Sequence, residues 1–210
     1  TSNDIFSAMA NPSALARAER VFRRARGILR TRDALRLGVH PETLYALRDA
    51  GRIEPLGRGV WHLVDVPVSE HVDAAVVTLR HPRAVICLTS ALEWHGLTTQ
   101  VPGQVQIALP PGARAPHVGF PPSRVFRFSG QSYSSGVERH DVGGLRVRVY
   151  GAAKTVADCF KFRNRVGRDV ALEGLREGWR ARRFTMDQVI RYARICRVER
   201  VMRPYLESLP

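Results

Sequence analysis

The stretch "ALRLGVHPETLYALRDAG", residues 34–51, constrains this chain more than any other. Two helices that cross closely at a sharp turn need three things. The first helix needs a small residue at the crossing, the turn needs a residue free of Cβ, and the second helix needs an inward apolar pair. Ala34, Gly38, and Leu44 with Leu47 supply them in that order, at the spacing of a helix-turn-helix. Gly38 permits the turn, and Leu37 and Val39 beside it are expected to bury it. Pro41 fits the first turn of the second helix, which runs to Ala50, and Gly51 closes it just past its end. His40 and Glu42, which side by side could suggest acid–base chemistry, are thereby assigned to geometry.

The flanking sequence fits a larger unit. Asn11 is a candidate cap for a first helix with Pro12 in its first turn, and Leu15, Ala18, Phe22 and Ala25 recur at helical spacing. Arg17, Arg20, Arg23, Arg24 and Arg26 fall mostly off that stripe, and Gly27 ends the helix. Ile28 and Leu29 read as extended, and Thr31 as the cap of a helix over Arg32–Leu37. After Gly51, Ile53–Leu56 and Val60–Val64 form a hairpin around Gly57-Arg58-Gly59. A β-wing directly after the second helix points to a winged helix. The outward face of that helix carries His40, Glu42, Thr43, Tyr45 and Arg48, and its early residues are the ones that reach base edges in such folds. Thr43 suits a thymine methyl and Glu42 a cytosine amine. Arg32, Arg48, Arg52 and Arg58 suit phosphates. The plainer alternative is that Tyr45 packs on the wing and Glu42 complements the helix start.

"DVPVSEHV", residues 65–72, is a break, so residues 1–66 are read as a winged helix-turn-helix DNA-binding domain and 67–210 as a second domain. There a helix is expected over Ser69–Leu79, an apolar run at Ala84–Leu88, a short helix in "TSALEWHG", and strands between 101 and 150 joined at the end by Gly143-Gly144. Residues 110–123 read as a mobile, proline-rich surface loop. Helices follow over about 152–163, 168–181, 185–196 and 198–208, the third with a capping box in "TMDQ". The class is α+β, with a small, mostly antiparallel sheet and several helices in the second domain.

The charge is +14, and of 33 basic residues only Lys154 and Lys161 are lysines. Such a field attracts polyanions, above all nucleic acid. Residues 69–210 are the more basic part, and Arg180, Arg182, Arg183, Arg191 and Arg194 are candidates for additional DNA contacts there. Cys87, Cys159 and Cys196 have neither disulfide nor zinc spacing and read as small buried residues of a reducing, cytoplasmic protein. No apolar run is long enough to span a membrane, and the N-terminus lacks the pattern of a secretion signal.

The residues give no sign of an enzyme. No two acids stand at i, i+2, as the metal-holding pair of a nucleotidyltransferase requires. Neither lysine has an acid two residues before it, as a restriction-type nuclease site would. Gly-x-Ser-x-Gly, His-Glu-x-x-His and P-loop patterns are absent. No metal and no cofactor is expected. Lys154, Asp158 and Lys161 lie along one probable helix, and Lys154–Asp158 is read as a solvated i, i+4 pair worth a few tenths of a kcal/mol. His95 reads as a packed, hydrogen-bonded residue.

"GILRTRDALRLGV" and "TLYALRDAGRIEPLGRGVW", then "LTSALEWHGL", "VPGQVQIALP" and "AAKTVADCFKFRNRVGRDVALEGL", resemble the AbiEi family of type IV antitoxins. The resemblance spans most of the chain from about residue 14. It implies an antitoxin whose N-terminal domain binds inverted repeats in its own promoter and represses it. The C-terminal domain would oppose a cognate nucleotidyltransferase-like toxin without a stable complex. It implies no catalytic residue. The alternative is a stand-alone winged-helix regulator with a ligand-sensing C-terminal domain.

Overall fold

The computed structural model describes residues 12–114 and 120–209. The Asn11 cap and the middle of the proline-rich loop lie outside the described residues. The chain divides into two units, one reaching to Val72 and including Val142–Leu145, the other formed by Asp73–Asp141 and the chain from Arg146 on.

The first unit runs α1 (Pro12–Arg24), β1 (Ile28–Arg30), α2 (Thr31–Arg36), α3 (Pro41–Asp49), β2 (Ile53–Gly57) and β3 (Val60–Leu63). Its antiparallel sheet has the order β1-β3-β2. Ala18, Phe22, Leu29, Ala34, Val39, Leu44, Leu47, Ile53 and Leu63 form its core. The first unit is thus built on the recurrence of apolar positions along α1 and on the Ala34–Leu47 spacing. Gly38 takes φ +84 after α2, and the Val39 amide returns to the Ala34 carbonyl at 3.0 Å. That six-to-one bond is a Schellman closure, repeated after α3, where the Arg52 amide reaches the Leu47 carbonyl at 2.9 Å.

Three local expectations are corrected. Arg26, at φ 57, and not Gly27 takes the first left-handed position after α1; Gly27 follows and its amide reaches the Phe22 carbonyl at 2.8 Å. Thr31 does not cap α2, which begins at that residue. Its hydroxyl is instead the acceptor for Trp61 Nε1 at 2.9 Å, fastening β3 to the start of α2. Val39 buries the turn, but Leu37 stands 54% exposed because the chain reverses at Gly38 and leaves it outside.

The second unit continues with α4 (Val72–Arg80), β4 (Val85–Ile86), α5 (Leu88–Trp94), β5 (Val105–Leu109), β6 (Ser123–Arg127), α6 (Gly130–Ser134), β7 (Val137–Val142) and β8 (Leu145–Tyr150). It ends in α7 (Ala152–Lys161), α8 (Arg163–Val166), α9 (Arg168–Arg180), α10 (Met186–Cys196) and α11 (Glu199–Glu207). The α+β class stands, with a refinement. The sheet, ordered β6-β5-β4-β8-β7, is mixed: β4 pairs antiparallel with β5 but parallel with β8, and β5 pairs parallel with β6. α4 starts at Val72, the last residue of the break and three residues later than expected, and the short α6 has no apolar periodicity to announce it.

Residues of β5 and β8 and the apolar faces of α5, α7, α9 and α10 make one core. The Thr185 hydroxyl accepts from the Gln188 amide and the Gln188 side chain accepts from the Thr185 amide, the expected capping box. α9 approaches closely through two glycines. A Cβ on Gly174 would lie 2.7 Å from Leu92 Cδ2, and one on Gly178 would overlap the Phe184 ring. These glycines cost helix propensity, about 1 kcal/mol each, and yield the close crossing.

Lys154 and Asp158 are the largest departure from expectation. They are not a solvated pair: both are fully buried on α7, with Nζ 2.5 Å from Oδ2. The Lys154 ammonium lies 4.1 Å from the Tyr150 ring centre and 5.1 Å from that of Phe128, and Cys196 Sγ donates to Asp158 Oδ1 at 3.1 Å.

Candidate nucleic-acid interface

α3 is anchored from beneath. Leu44 and Leu47 are buried, and Pro41 sets the first turn with His40 as its extended cap residue. Burying one stripe turns the opposite face outward. His40, Glu42, Tyr45, Arg48 and Asp49 are exposed there, and Thr43 is half-buried. Tyr45 is 50% exposed, with the Arg48 guanidinium 5.0 Å from its ring centre. Arg48 Nη2 also lies 2.8 Å from Asp49 Oδ1. Arg48 is thereby held flat along the outer surface of α3, its charge half-screened and still in contact with solvent.

The other expected phosphate ligands stand in three situations. Arg58 is exposed at the wing tip between Gly57 and Gly59, with no ion-pair partner among the described residues. Arg32 is exposed at 3.8 Å from Asp33, which also holds Arg36 Nη2 at 2.7 Å. Arg52 is spoken for: its Nη2 lies 3.0 Å from Glu19 Oε1 on α1, a cross-tie between the end of α3 and the first helix.

Sequence reasoning missed one group. Arg17, Arg20 and Arg24, along one side of α1, line a shallow groove of about 370 Å³ together with His40 and Thr43. The i, i+3, i+7 recurrence of those arginines was the available signal. It reads as a solvated helix face until the turn at Gly38 brings the start of α3 beside it. Three cations beside the end of α3 that enters a groove in related folds make an electrostatic arrangement suited to a phosphate backbone.

The arginines singled out in the second unit do not form one cluster. Arg180 and Arg182 line a groove of about 520 Å³ with Arg176, Trp179 and Tyr205, and Arg180 is paired with Glu177 at 2.8 Å. Arg194 lines a different cleft and is bound to Glu199 at 3.2 Å. Arg191 lies over Tyr192, 5.1 Å from its ring centre, and Arg183 is exposed.

The buried thiols of the second unit are held in their neutral form. Burial pushes the Cys196 thiol up to about 12, and Cys87 and Cys159 well above their ordinary value, so none is a ready thiolate. Burial also raises the Asp158 carboxyl, against the pull of Lys154. His95 Nε2 donates to the Tyr150 carbonyl at 2.8 Å, a packed residue as expected. Among the described residues no group of three His, Cys, Asp or Glu side chains is placed to hold a metal, and no helix is long and apolar enough to cross a membrane.

With this geometry in place, comparison with known families bears on the first unit. Residues 16–64 match the family of AbiEi antitoxin transcriptional regulators. The matched AbiEi segment runs from within α1 to the residue after β3, the whole described winged helix apart from its first turn. No curated protein matches the chain. Among solved structures, the crystal structure of the RV2827C protein from Mycobacterium tuberculosis is similar in fold, with a TM-score of 0.62 at 15% identity over 87% of this chain and 72% of that one. The similarity therefore extends through the second unit, beyond the AbiEi segment, as a likeness of fold.

Proposed function

We propose that this protein is an autorepressor and antitoxin of the type IV class. Residues 1–66 would bind inverted repeats in its own promoter, and residues 67–210 would counteract a nucleotidyltransferase-like toxin without forming a stable complex. The observation that carries the DNA half is the outer surface of α3, exposed from His40 to Asp49 and bordered by the α1 arginines on one side. His40, Glu42, Thr43 and Tyr45 face base edges in this reading. Arg32, Arg48 and Arg58 engage phosphates, with Arg17, Arg20 and Arg24 added to that set and Arg52 acting through its tie to Glu19. Arg180, Arg182, Arg183, Arg191 and Arg194 contribute sequence-independent contacts. Bound protein represses by occupying the promoter, and no step of this reading is enzymatic or calls for a cofactor.

The AbiEi match supports the regulator, and the family supplies the expectation of a toxin. The test has two arms. A promoter gel shift with Arg48→Ala/Arg58→Ala should lose affinity; wild-type binding by the double variant contradicts the assigned face. Co-expression with the neighbouring gene should show growth rescue by the full chain. Failure of rescue with DNA binding intact would leave a regulator and remove the antitoxin.

A further inference from the structure

One cleft of the second unit enters this reading only through Arg194 at its edge. It has a volume of about 800 Å³ and is lined by Lys161 from the end of α7, Arg163 from α8, Arg194 from the last turn of α10, and Arg197 just beyond it. Ser129, just before α6, adds a hydroxyl group, and the Ser132 hydroxyl at its edge is committed to the Ile195 carbonyl at 3.3 Å. No carboxylate is among its lining residues. Glu199 reaches Arg194 alone, at 3.2 and 3.3 Å. Lys161 Nζ donates only to a neutral hydroxyl, Ser132 Oγ at 3.3 Å, and Arg163 Nη1 only to the Phe160 carbonyl at 3.0 Å. Arg197 has no ion-pair partner among the described residues. Four cations thus share one concavity; Glu199 pairs with Arg194, and the buried Asp158 behind the floor, itself bonded to Lys154, feels the charge of Lys161.

Helix ends explain part of this, because cations complement the carbonyls of a helix C-terminus. Lys161, Arg194 and Arg197 each satisfy that rule separately. It does not explain their convergence, with Arg163, on one concavity, where like charges repel. Nor does it explain Arg197, which holds φ 59, the left-handed position where glycine is usual and a side chain is strained. The cleft floor is fixed from behind. Cys196 lines it, and its thiol is bonded to the buried Asp158, so α10 ends at one defined height beside α7. Asp158 is a positioning residue here.

We infer that this cleft binds a small phosphate-bearing anion carrying at least two phosphate groups, held by Arg163, Arg197 and Lys161 with the Ser129 hydroxyl beside them. Guanidinium groups grip phosphate oxygens in pairs, and hydroxyl donors complete the shell. A volume of about 800 Å³ is of the size that accommodates a small molecule. The inference rests on Arg163, Arg197 and Lys161, none of which the promoter-binding reading uses, and on no toxin.

Calorimetric titration of the full chain with sodium pyrophosphate at fixed ionic strength tests it. Saturable binding is expected at one site, weakened at least about tenfold in Arg163→Gln/Arg197→Gly. Glycine suits the backbone at position 197, so the melting temperature of Arg197→Gly should not drop, which separates lost binding from lost folding. Arg176→Gln, in the other groove, should bind pyrophosphate as the parent does. Absence of saturable binding, or equal loss in both variants, would overturn the site. A matching loss of affinity for a random DNA duplex in the cleft variant would assign the cleft to nucleic-acid backbone and equally overturn it.

Discussion

The Lys154 ammonium sits 2.5 Å from the Asp158 carboxylate, and both side chains are wholly shut off from water. A point charge on a flexible stem fits between the Tyr150 and Phe128 rings, with Gly136 leaving room for the stem: a Cβ on Gly136 would lie 2.9 Å from Lys154 Cβ. A planar guanidinium is bulkier and differently shaped, which accounts for a lysine here in a chain that otherwise uses arginine almost throughout. Removing one member strands the other. Lys154→Met is expected to destabilise by about 3–5 kcal/mol, and Lys154→Met/Asp158→Leu to recover a large part of that. Urea unfolding of the two variants measures it; equal losses in both would mean the pair is not coupled.

The cysteines should be silent in the native state. All three are buried and their thiols are raised by burial. Reaction with a thiol reagent at neutral pH should follow the unfolding rate, with no fast phase. All three should react at once in denaturant. A rapid native phase would contradict the burial of at least one of them.

Acid should weaken the second unit in two stages. Burial lowers His95, so its folded-state value lies below the unfolded one. Its contribution is complete above the ordinary histidine range and is lost as pH falls through that range towards the folded value. Glu173 accepts from the Thr99 amide at 2.8 Å and from the Thr98 and Thr99 hydroxyls at 2.9 and 3.1 Å, bonds that hold its carboxyl below the usual value. Its contribution is present above the ordinary carboxylate range and disappears at lower pH. Denaturation midpoints measured from pH 7 downward should show both limbs, His95→Gln removing the upper and Glu173→Gln the lower.

Gly178→Ala should destabilise by about 1–3 kcal/mol through overpacking against Phe184, although alanine is the better helix former. Gly174→Ala should behave similarly against Leu92. Thermal unfolding checks both, and a rise in melting temperature would show that α9 can move away from its neighbours.

On DNA, Arg17→Gln/Arg20→Gln/Arg24→Gln should shallow the salt dependence of promoter binding. The log–log slope should fall by up to about one unit for each phosphate that is no longer neutralised. Base discrimination should survive, because that lies with residues 40–45 in the proposed reading. An unchanged slope would remove the α1 arginines from the interface.

Much of the first unit was legible in the sequence because each of its devices is local. The turn at Gly38, the proline at α3 and the glycine-flanked wing declare themselves within a few residues. What stayed hidden was set by distance along the chain. Thr31 looks like a cap until Trp61 arrives to claim its hydroxyl. Lys154 and Asp158 look like a surface pair because spacing alone cannot tell which side of α7 is covered; α5, α9 and α10 decide that. The parallel pairing of β5 with β6 follows from a long connection that a succession of strands does not specify.

The central strand of the second sheet is two residues long, and its parallel neighbour is reached only when Ile86 meets Val149. Roughly sixty residues must be made and the loop between them closed before that pairing exists, an ordering cost borne before its reward. A nascent chain halted before β8 holds half a sheet with an open seam down its middle. The core of the second unit is therefore completed only once translation has passed that strand and the helices that cover it.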